Sequence, residues 1–453
     1  MADPRTIVEA ARRLQAREIT PENLLRGCLD RIEARRDLNA FISVRAEAAL
    51  EEAREAGTAI AAGHYRGPLH GVPISVKDLV DVVGTETTSG SKVPPRRPAR
   101  DAVIVQRLRE AGAIIIGKTN LHEFAFGTTS DESGFGPVHH PRDPSRSPGG
   151  SSGGSAVALV EGMCLGAIGT DTGGSVRIPS AACGTVGLKA AGDELSCDGV
   201  VPLSPTLDHV GPMTHTVADA AVMFAAMKGV PGVAAVRPLG ALTFGIPEPY
   251  FCERLDPGVR SALERVQREL SEAGHAVRKV RIEHAEWTPD VYLHIVLPEA
   301  SWYHAPTLDA YAVGYSPGVR LRLEMGRYVL AEDYVRAMRL RERLRQAVDD
   351  SLAGIDALLL PTLAIPAPPL GATSIEVDGQ KEPVRAVMLR LTQLFNITGH
   401  PAIALPAGFA ADGFPVGLQL VGRRGNTDAL LQVAAAAEPY IVPGPGSVGG
   451  GTG

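Results

Sequence analysis

Two kinds of apolar spacing alternate along most of this chain. Continuous apolar runs of strand length, such as Ala113-Ile114-Ile115-Ile116 and Ala357-Leu358-Leu359-Leu360, read as strands buried on both faces. Stretches with apolar residues three and four apart read as helices, at 102–111, 217–227, 257–273 and 428–437. Thr20-Pro21-Glu22 opens a helix with a cap and a proline at its first position, and Thr216 caps the helix that begins at Val217. Residues 4–63 read as helices throughout, with 48–62 rich in alanine. Residues 73–78 alternate as a strand behind the turn at His70-Gly71, which leaves Lys77 at the strand's end. The apolar run 156–168, interrupted at Glu161-Gly162, holds one helix and one short strand. Beyond 240, strands at 242–246, 275–282, 357–360, 403–405 and 416–421 alternate with helices, among them a helix-rich segment ending at Leu352 and a helix over 388–398.

This alternation predicts an α/β fold. No internal repeat or strong linker divides the chain, so one domain is expected over 1–440. Within it, a helical segment at 1–63 precedes a core at about 64–230, and about 240–355 forms a cap; the low-complexity end makes 441–453 a flexible tail. With 453 residues the chain can bury a substantial core.

Charge and cysteine usage narrow the function. The 45 basic and 51 acidic residues are well mixed, so no basic stripe advertises nucleic acid, and a small-molecule partner is expected. Five cysteines without a CxxC pair fit a reducing compartment better than a disulfide framework. The N-terminus lacks an apolar signal core and the apolar runs fall short of a membrane span, so a cytoplasmic protein with no membrane partner is expected.

The chemistry concentrates in residues 147–189. Gly149-Gly150-Ser151-Ser152-Gly153-Gly154-Ser155 forms one glycine-framed serine cluster, and 169–177, Gly-Thr-Asp-Thr-Gly-Gly-Ser-Val-Arg, forms another. Glycine lets successive N–H groups point the same way, which suits an anion or an oxyanion, and a serine in such a frame is a candidate nucleophile. A flexible linker would not carry Asp171 and Arg177 beside its glycines. Two other motifs compete. Residues 112–119 match GxxxxGK[ST], but a β-forming run fills the four intervening positions and no strand precedes Gly112, so it cannot curl around a phosphate. Residues 150–154 match GxSxG, which would make Ser152 the nucleophile of an α/β-hydrolase-type esterase, but a proline-rich loop stands where the elbow needs a strand. His139, His140, His209 and His215 show no metal-ligand spacing and read as packing or surface residues.

These residues resemble the amidase signature hydrolases. The likeness runs over nearly the whole chain: GVPISVKDLVDV at 71–82, GAIIIGKTNLHEF at 112–124, SPGGSSGGSA at 147–156, GTDTGGSVRIP at 169–179, LDHVGPM at 207–213, then PAIALPAGF and PVGLQLVG. The resemblance implies an α/β/α sandwich with a large mixed central sheet covered by helices. It implies Ser175 as nucleophile, Ser151 as a bridge through a cis peptide, and Lys77 as terminal base. The backbone of Thr172, Gly173, Gly174 and Ser175 would form the oxyanion hole, with Ser152, Asp171 and Arg177 in support. No metal or other cofactor is implied. Phe126, Gly127 and Thr128, just upstream, are expected to line the acyl pocket. The implied reaction is hydrolysis of C–N bonds in small amides, with carbamates (urethanes) and an ester side activity, by a monomer or homodimer. A glutaminase subunit of a tRNA-dependent amidotransferase belongs to the same family and is the alternative. One departure stands out: after Lys189 the family continues Pro-Thr and, two residues later, Gly, whereas this chain has Ala190-Ala191-Gly192-Asp193-Glu194. That difference weighs against the glutaminase and bears on substrate preference.

Overall fold

The structure is a computed structural model that describes residues 3–230 and 239–443; from residue 444 on, the expected tail lies outside the described residues. Eleven strands form one mixed sheet in the order β1-β3-β2-β4-β6-β5-β12-β13-β9-β7-β8. They are β1 (Phe41–Val44), β2 (Pro73–Lys77), β3 (Ile114–Thr119), β4 (Gly166–Asp171), β5 (Val186–Lys189), β6 (His209–Thr214), β7 (Thr243–Pro247), β8 (Ala276–Val280), β9 (Ala357–Pro361), β12 (Ala402–Phe409) and β13 (Pro415–Val421). A separate hairpin joins β10 (Ser374–Val377) to β11 (Gln380–Pro383). Helices cover the sheet, which is the α/β sandwich that the sequence predicts.

The parallel pairs sit where the sequence alternates strand and helix. β2 pairs in parallel with both β3 and β4, and helices Val103–Glu110 and Gly153–Val160 make the crossovers. All residues of β2, β3 and β4 are buried, which explains the apolar runs without alternation that lead into β3 and β4; β2 alternates in sequence and yet buries Ser75 and Lys77 as well. β7 pairs in parallel with β8 and β9 and so extends this same sheet, while Thr288–Tyr311, Pro317–Gly326 and Ala331–Ser351 form the helix-rich segment. Among the described residues, no helix is long and apolar enough to cross a membrane.

The sequence reading places no strand at β5, β6 or the β10–β11 hairpin, and it assigns two other segments differently from the structure. Phe41–Val44, inside the stretch read as helical, is a strand antiparallel to β3; three β-favouring residues, Phe41, Ile42 and Val44, sit in a strand that gains ladder hydrogen bonds which a one-turn helix would not supply. The helix expected over 388–398 is broken into Val384–Leu389 and Leu394–Thr398. The break serves long-range bonds: Thr392 donates its hydroxyl to the Gly173 carbonyl at 2.6 Å, and its own carbonyl accepts Arg177 Nη2 at 3.1 Å. Propensity within 388–398 carries no trace of those partners.

Candidate active site

Because β2 and β4 are parallel neighbours, their final residues emerge at one end of the sheet, where α/β proteins place their chemistry. Lys77 ends β2, and Thr170 and Asp171 end β4. The loop that carries Ser151 enters the helix Gly153–Val160 beside them, and its Gly150–Ser151 peptide is cis. Lys77 Nζ lies 2.7 Å from Ser151 Oγ and 2.9 Å from Thr170 Oγ1, with all of its side chain buried. No carboxylate forms an ion pair with Lys77 among the described residues, since Asp78 pairs with Lys118 at 2.8 Å and Asp171 with Arg177 at 3.0 Å. Burial pulls the ammonium's pKa down to about 7, against the more distant attraction of Asp171 and Asp208. Near neutral pH a large fraction of Lys77 therefore carries a lone pair.

Past Asp171 the chain turns through Thr172, Gly173, Gly174 and Ser175. None of these four N–H groups donates a hydrogen bond to another described residue, although Thr172, at 2 % exposed, and Ser175, at 5 %, are nearly buried. A run of unused donors beside a serine suits a developing oxyanion. The turn is held from outside. Thr172 Oγ1 donates to Asp208 Oδ1 at 2.5 Å, and Ser152 N–H donates to the Ser175 carbonyl at 3.3 Å. Burial raises the Asp208 carboxyl to about 6 despite three hydrogen bonds, from Thr172 and the backbone of Leu203 and Ser204. Gly174 has φ +137, and a Cβ there would lie 2.3 Å from Thr392 Oγ1, so only glycine fits.

Beneath the turn lies a buried ionic network. Arg177 donates Nε to Asp171 Oδ2 at 3.1 Å, Nη2 to Asp171 Oδ1 at 3.0 Å and to Asn396 Oδ1 at 2.8 Å, and Nη1 to Gln419 Oε1 at 2.9 Å. Burial alone would raise the Asp171 carboxyl, but the charge and hydrogen bonds of Arg177, helped by Lys189, hold it far below the usual carboxylate range. Asp171 also accepts the Val176 N–H at 3.2 Å, which ties the network to the residue after Ser175. Asp171→Ala would leave a guanidinium buried without its counter-charge. It should cost about 3–5 kcal/mol of folding stability, read as a lower urea midpoint at unchanged slope.

The other predicted residues fall nearby in different settings. Ser152 is fully buried and donates its hydroxyl to the Thr170 carbonyl at 3.3 Å, and the strand that a nucleophile elbow requires is absent before it among the described residues. Lys118 lies in β3, extended and paired with Asp78, so the GxxxxGK[ST] match forms no phosphate loop. Phe126 is 1 % exposed and its ring faces the guanidinium groups of Arg322, at 5.3 Å, and Arg385, at 5.5 Å. A Cβ on Gly127 would meet the His122 ring at 2.0 Å, and Thr128 Oγ1 is buried without a partner. His139, His140, His209 and His215 each place a ring nitrogen against a backbone carbonyl, at 2.8, 3.0, 2.7 and 3.1 Å. The segment after Lys189 is held by hydrogen bonds, although Gly192 and Asp193 are exposed: Ala191 N–H donates to Thr427 Oγ1 at 2.9 Å, Gly192 N–H to the Gly399 carbonyl at 3.1 Å, and Glu194 accepts the Thr427 hydroxyl.

Sequence reasoning missed Thr170, Tyr292, Thr392, Asn396 and Gln419. Thr170 had a signal, since it adjoins Asp171 at the end of a strand that neighbours the lysine's strand. The others arrive from more than a hundred residues away, and no local pattern marks them.

The sequence model of the amidase family matches residues 23–431. An amidase of Pseudomonas putida is 39% identical over 451 residues, spanning 96% of this chain and 95% of that protein. A glutamyl-tRNA(Gln) amidotransferase subunit of Myxococcus xanthus is 35% identical over 96% of each chain. Among solved structures, a crystal structure of an amidase superposes with a TM-score of 0.92 at 40% identity, over 96% of this chain and all of that one. The 6-aminohexanoate cyclic dimer hydrolase, solved with its substrate, superposes with a TM-score of 0.84 at 27% identity over 97% of both.

Proposed function

The chain belongs to the amidase family and is a hydrolase of carbon–nitrogen bonds, and from that premise we propose that it cleaves small amides and carbamates through an acyl-enzyme on Ser175, with Ser151 and Lys77 as the proton relay. The observation that carries this reading is the 2.7 Å approach of a buried, uncompensated Lys77 to Ser151, beside a serine that follows unused N–H donors. Ser175 Oγ attacks the substrate carbonyl and gives its proton to Ser151 Oγ, whose own proton passes to the lone pair on Lys77 Nζ. The carbonyl oxygen takes the negative charge and is met by the N–H groups of the 172–175 turn. Lys77 then returns the proton through Ser151 to the leaving nitrogen, the C–N bond breaks, and the acyl group stays on Ser175. A water molecule, deprotonated by the same relay, releases the acid. The oxyanion is met by backbone N–H groups, and the ammonium that forms on Lys77 keeps, among the described residues, only the hydroxyls of Ser151 and Thr170 beside it. Carbamates present the same carbonyl to the same donors, and esters do so with a better leaving group. Asp171 and Arg177 act through the backbone they hold, and Ser152 through its bond to Thr170.

Purified protein without partners should hydrolyse p-nitroanilides, simple amides and aryl carbamates, and prior treatment with a chelator should leave the rates unchanged. Ammonia release from glutamine only in the presence of partner subunits would replace this reading with that of an amidotransferase glutaminase. Relatives of that kind at 35% identity favour the second reading. Against it stands the 190–194 segment, which departs from the family pattern.

A further inference from the structure

Arg385 lies on the short helix Val384–Leu389, and the far end of that helix touches the proposed oxyanion turn: a Cβ on Gly173 would lie 3.0 Å from Leu389 Cδ2. Residues four apart share a helix face, about 6 Å from each other along the axis. Arg385 therefore stands on the stripe that meets the turn, one turn farther out. Tyr292 adjoins both, with its hydroxyl 2.6 Å from that same Cβ position and within the field of the Arg385 charge. The side chain of Arg385 is half-buried, and its guanidinium lies over the buried Phe126 ring at 5.5 Å.

What distinguishes Arg385 is the lack of a counter-charge. Its hydrogen bond to protein is a long one, Nη1 to the Phe126 carbonyl at 3.5 Å, and no carboxylate pairs with it among the described residues. Arg322, across the same ring, is neutralised by Glu132 at 3.2 Å. Burial and the Arg322 charge pull the Arg385 pKa down to about 10, which leaves it a cation at neutral pH. A partly desolvated guanidinium has five donors in a planar fork that matches a carboxylate. Glu132 is already engaged by Arg322 and approached by His122 at 3.3 Å, so it is not free to receive an ammonium beside that carboxylate.

We infer that Arg385 is a specificity-determining residue that binds a carboxylate carried by the substrate, so that monoamides of short dicarboxylic acids are preferred over uncharged amides of the same length and over their α-amino derivatives such as glutamine. This rests on the Ser175 reading and adds the substrate class to it. The free acid group of the substrate lies on the guanidinium fork, while the scissile carbonyl lies at the 172–175 turn one helix turn away.

The test pairs glutaramate with valeramide and with glutamine. In the wild-type protein, kcat/KM for glutaramate should exceed that for valeramide by about 10-fold or more, the effect of one charge-assisted bidentate contact, and should also exceed that for glutamine, which has the same carboxylate but an ammonium beside a guanidinium. In Arg385→Gln the glutaramate-to-valeramide ratio should fall close to 1, mainly through KM, and in Arg385→Lys it should recover in part. A purely structural role for Arg385 would lower both rates together and leave the ratio standing. Equilibrium binding of glutaramate and valeramide to Ser175→Ala, with and without Arg385→Gln, reads the same preference without turnover. A wild-type ratio near 1, a ratio unchanged in Arg385→Gln, or a preference for glutamine over glutaramate overturns the inference. If wild-type protein turns over none of the three, the acyl-enzyme reading fails, and the binding comparison still decides the role of Arg385.

Discussion

Ser175→Ala should lower kcat for amides by about 10^4-fold or more and leave the fold unchanged. The size follows from what the hydroxyl does in the proposed mechanism: it forms the bond to the acyl carbon, and removal of a nucleophile that acts as a unit with its base leaves only the catalysis due to binding and oxyanion donors. No neighbour is placed to substitute. Ser152 spends its hydroxyl on the Thr170 carbonyl in a fully buried position, and Ser151 lies against Lys77. The fold should tolerate the change because the Ser175 hydroxyl bonds no other described residue, while the backbone of Ser175 is held by Ser152 and its neighbour Val176 by Asp171. Turnover of a p-nitroanilide and a urea unfolding curve for the same preparation check both halves. Near-normal kcat in Ser175→Ala would remove it as nucleophile, and loss of activity in Ser152→Ala alone would move the role to the GxSxG serine.

The sequence made the parts of this site legible to different depths, for physical reasons. Lys77 was visible at the end of a short alternating strand, and the two serine clusters because their glycines stand out on either side of an apolar run, signals that local pattern reports well. The strands β3, β4 and β9 were visible because burial on both faces forces continuous apolar runs, and β2 through its alternation behind a glycine turn. Phe41–Val44 was not, because an edge strand of four half-exposed residues has no apolar run to betray it. The broken helix at 388–398 failed for the opposite reason. Its residues are helix-compatible, and the break exists to bring Thr392, Asn396 and Arg385 to partners at 173, 177 and 126. The elements that shape what the site accepts thus come from the second half of the chain, whereas the motif that names the chemistry lies in the first. A sequence reading that starts from the motif reaches the reaction before the substrate.

Lys77 carries the second large effect, and its burial sets both the activity and its cost. In Lys77→Met, which keeps the stem and removes the amine, amide hydrolysis should fall by about 10^3–10^4-fold, the usual reach of a general acid–base group. Aryl esters should lose far less, because a phenoxide leaves without the proton that an amine requires. In the wild-type protein kcat/KM should climb with pH through about 7 and then level, since the protonated lysine below that point cannot accept the relayed proton. The same group makes an opposite claim on stability. Its folded pKa of about 7 lies below the value near 10.4 of an unfolded chain, so between those pH values the unfolded state holds a proton that the folded state does not, and stability contributed by this group rises with pH. Below pH 7 the folded protein bears the full cost of a buried ammonium, roughly 4–5 kcal/mol. Lys77→Met removes that cost, so the inactive variant should be more stable than wild type, by a margin that narrows as pH rises from 7 to 10. Urea midpoints across that range, set beside amide and ester kinetics of the same two proteins, separate a base from a strut. Equal losses on both substrates with an unchanged pH profile, or a variant that unfolds more easily at pH 7, would mean that Lys77 holds the structure together and does not move the proton.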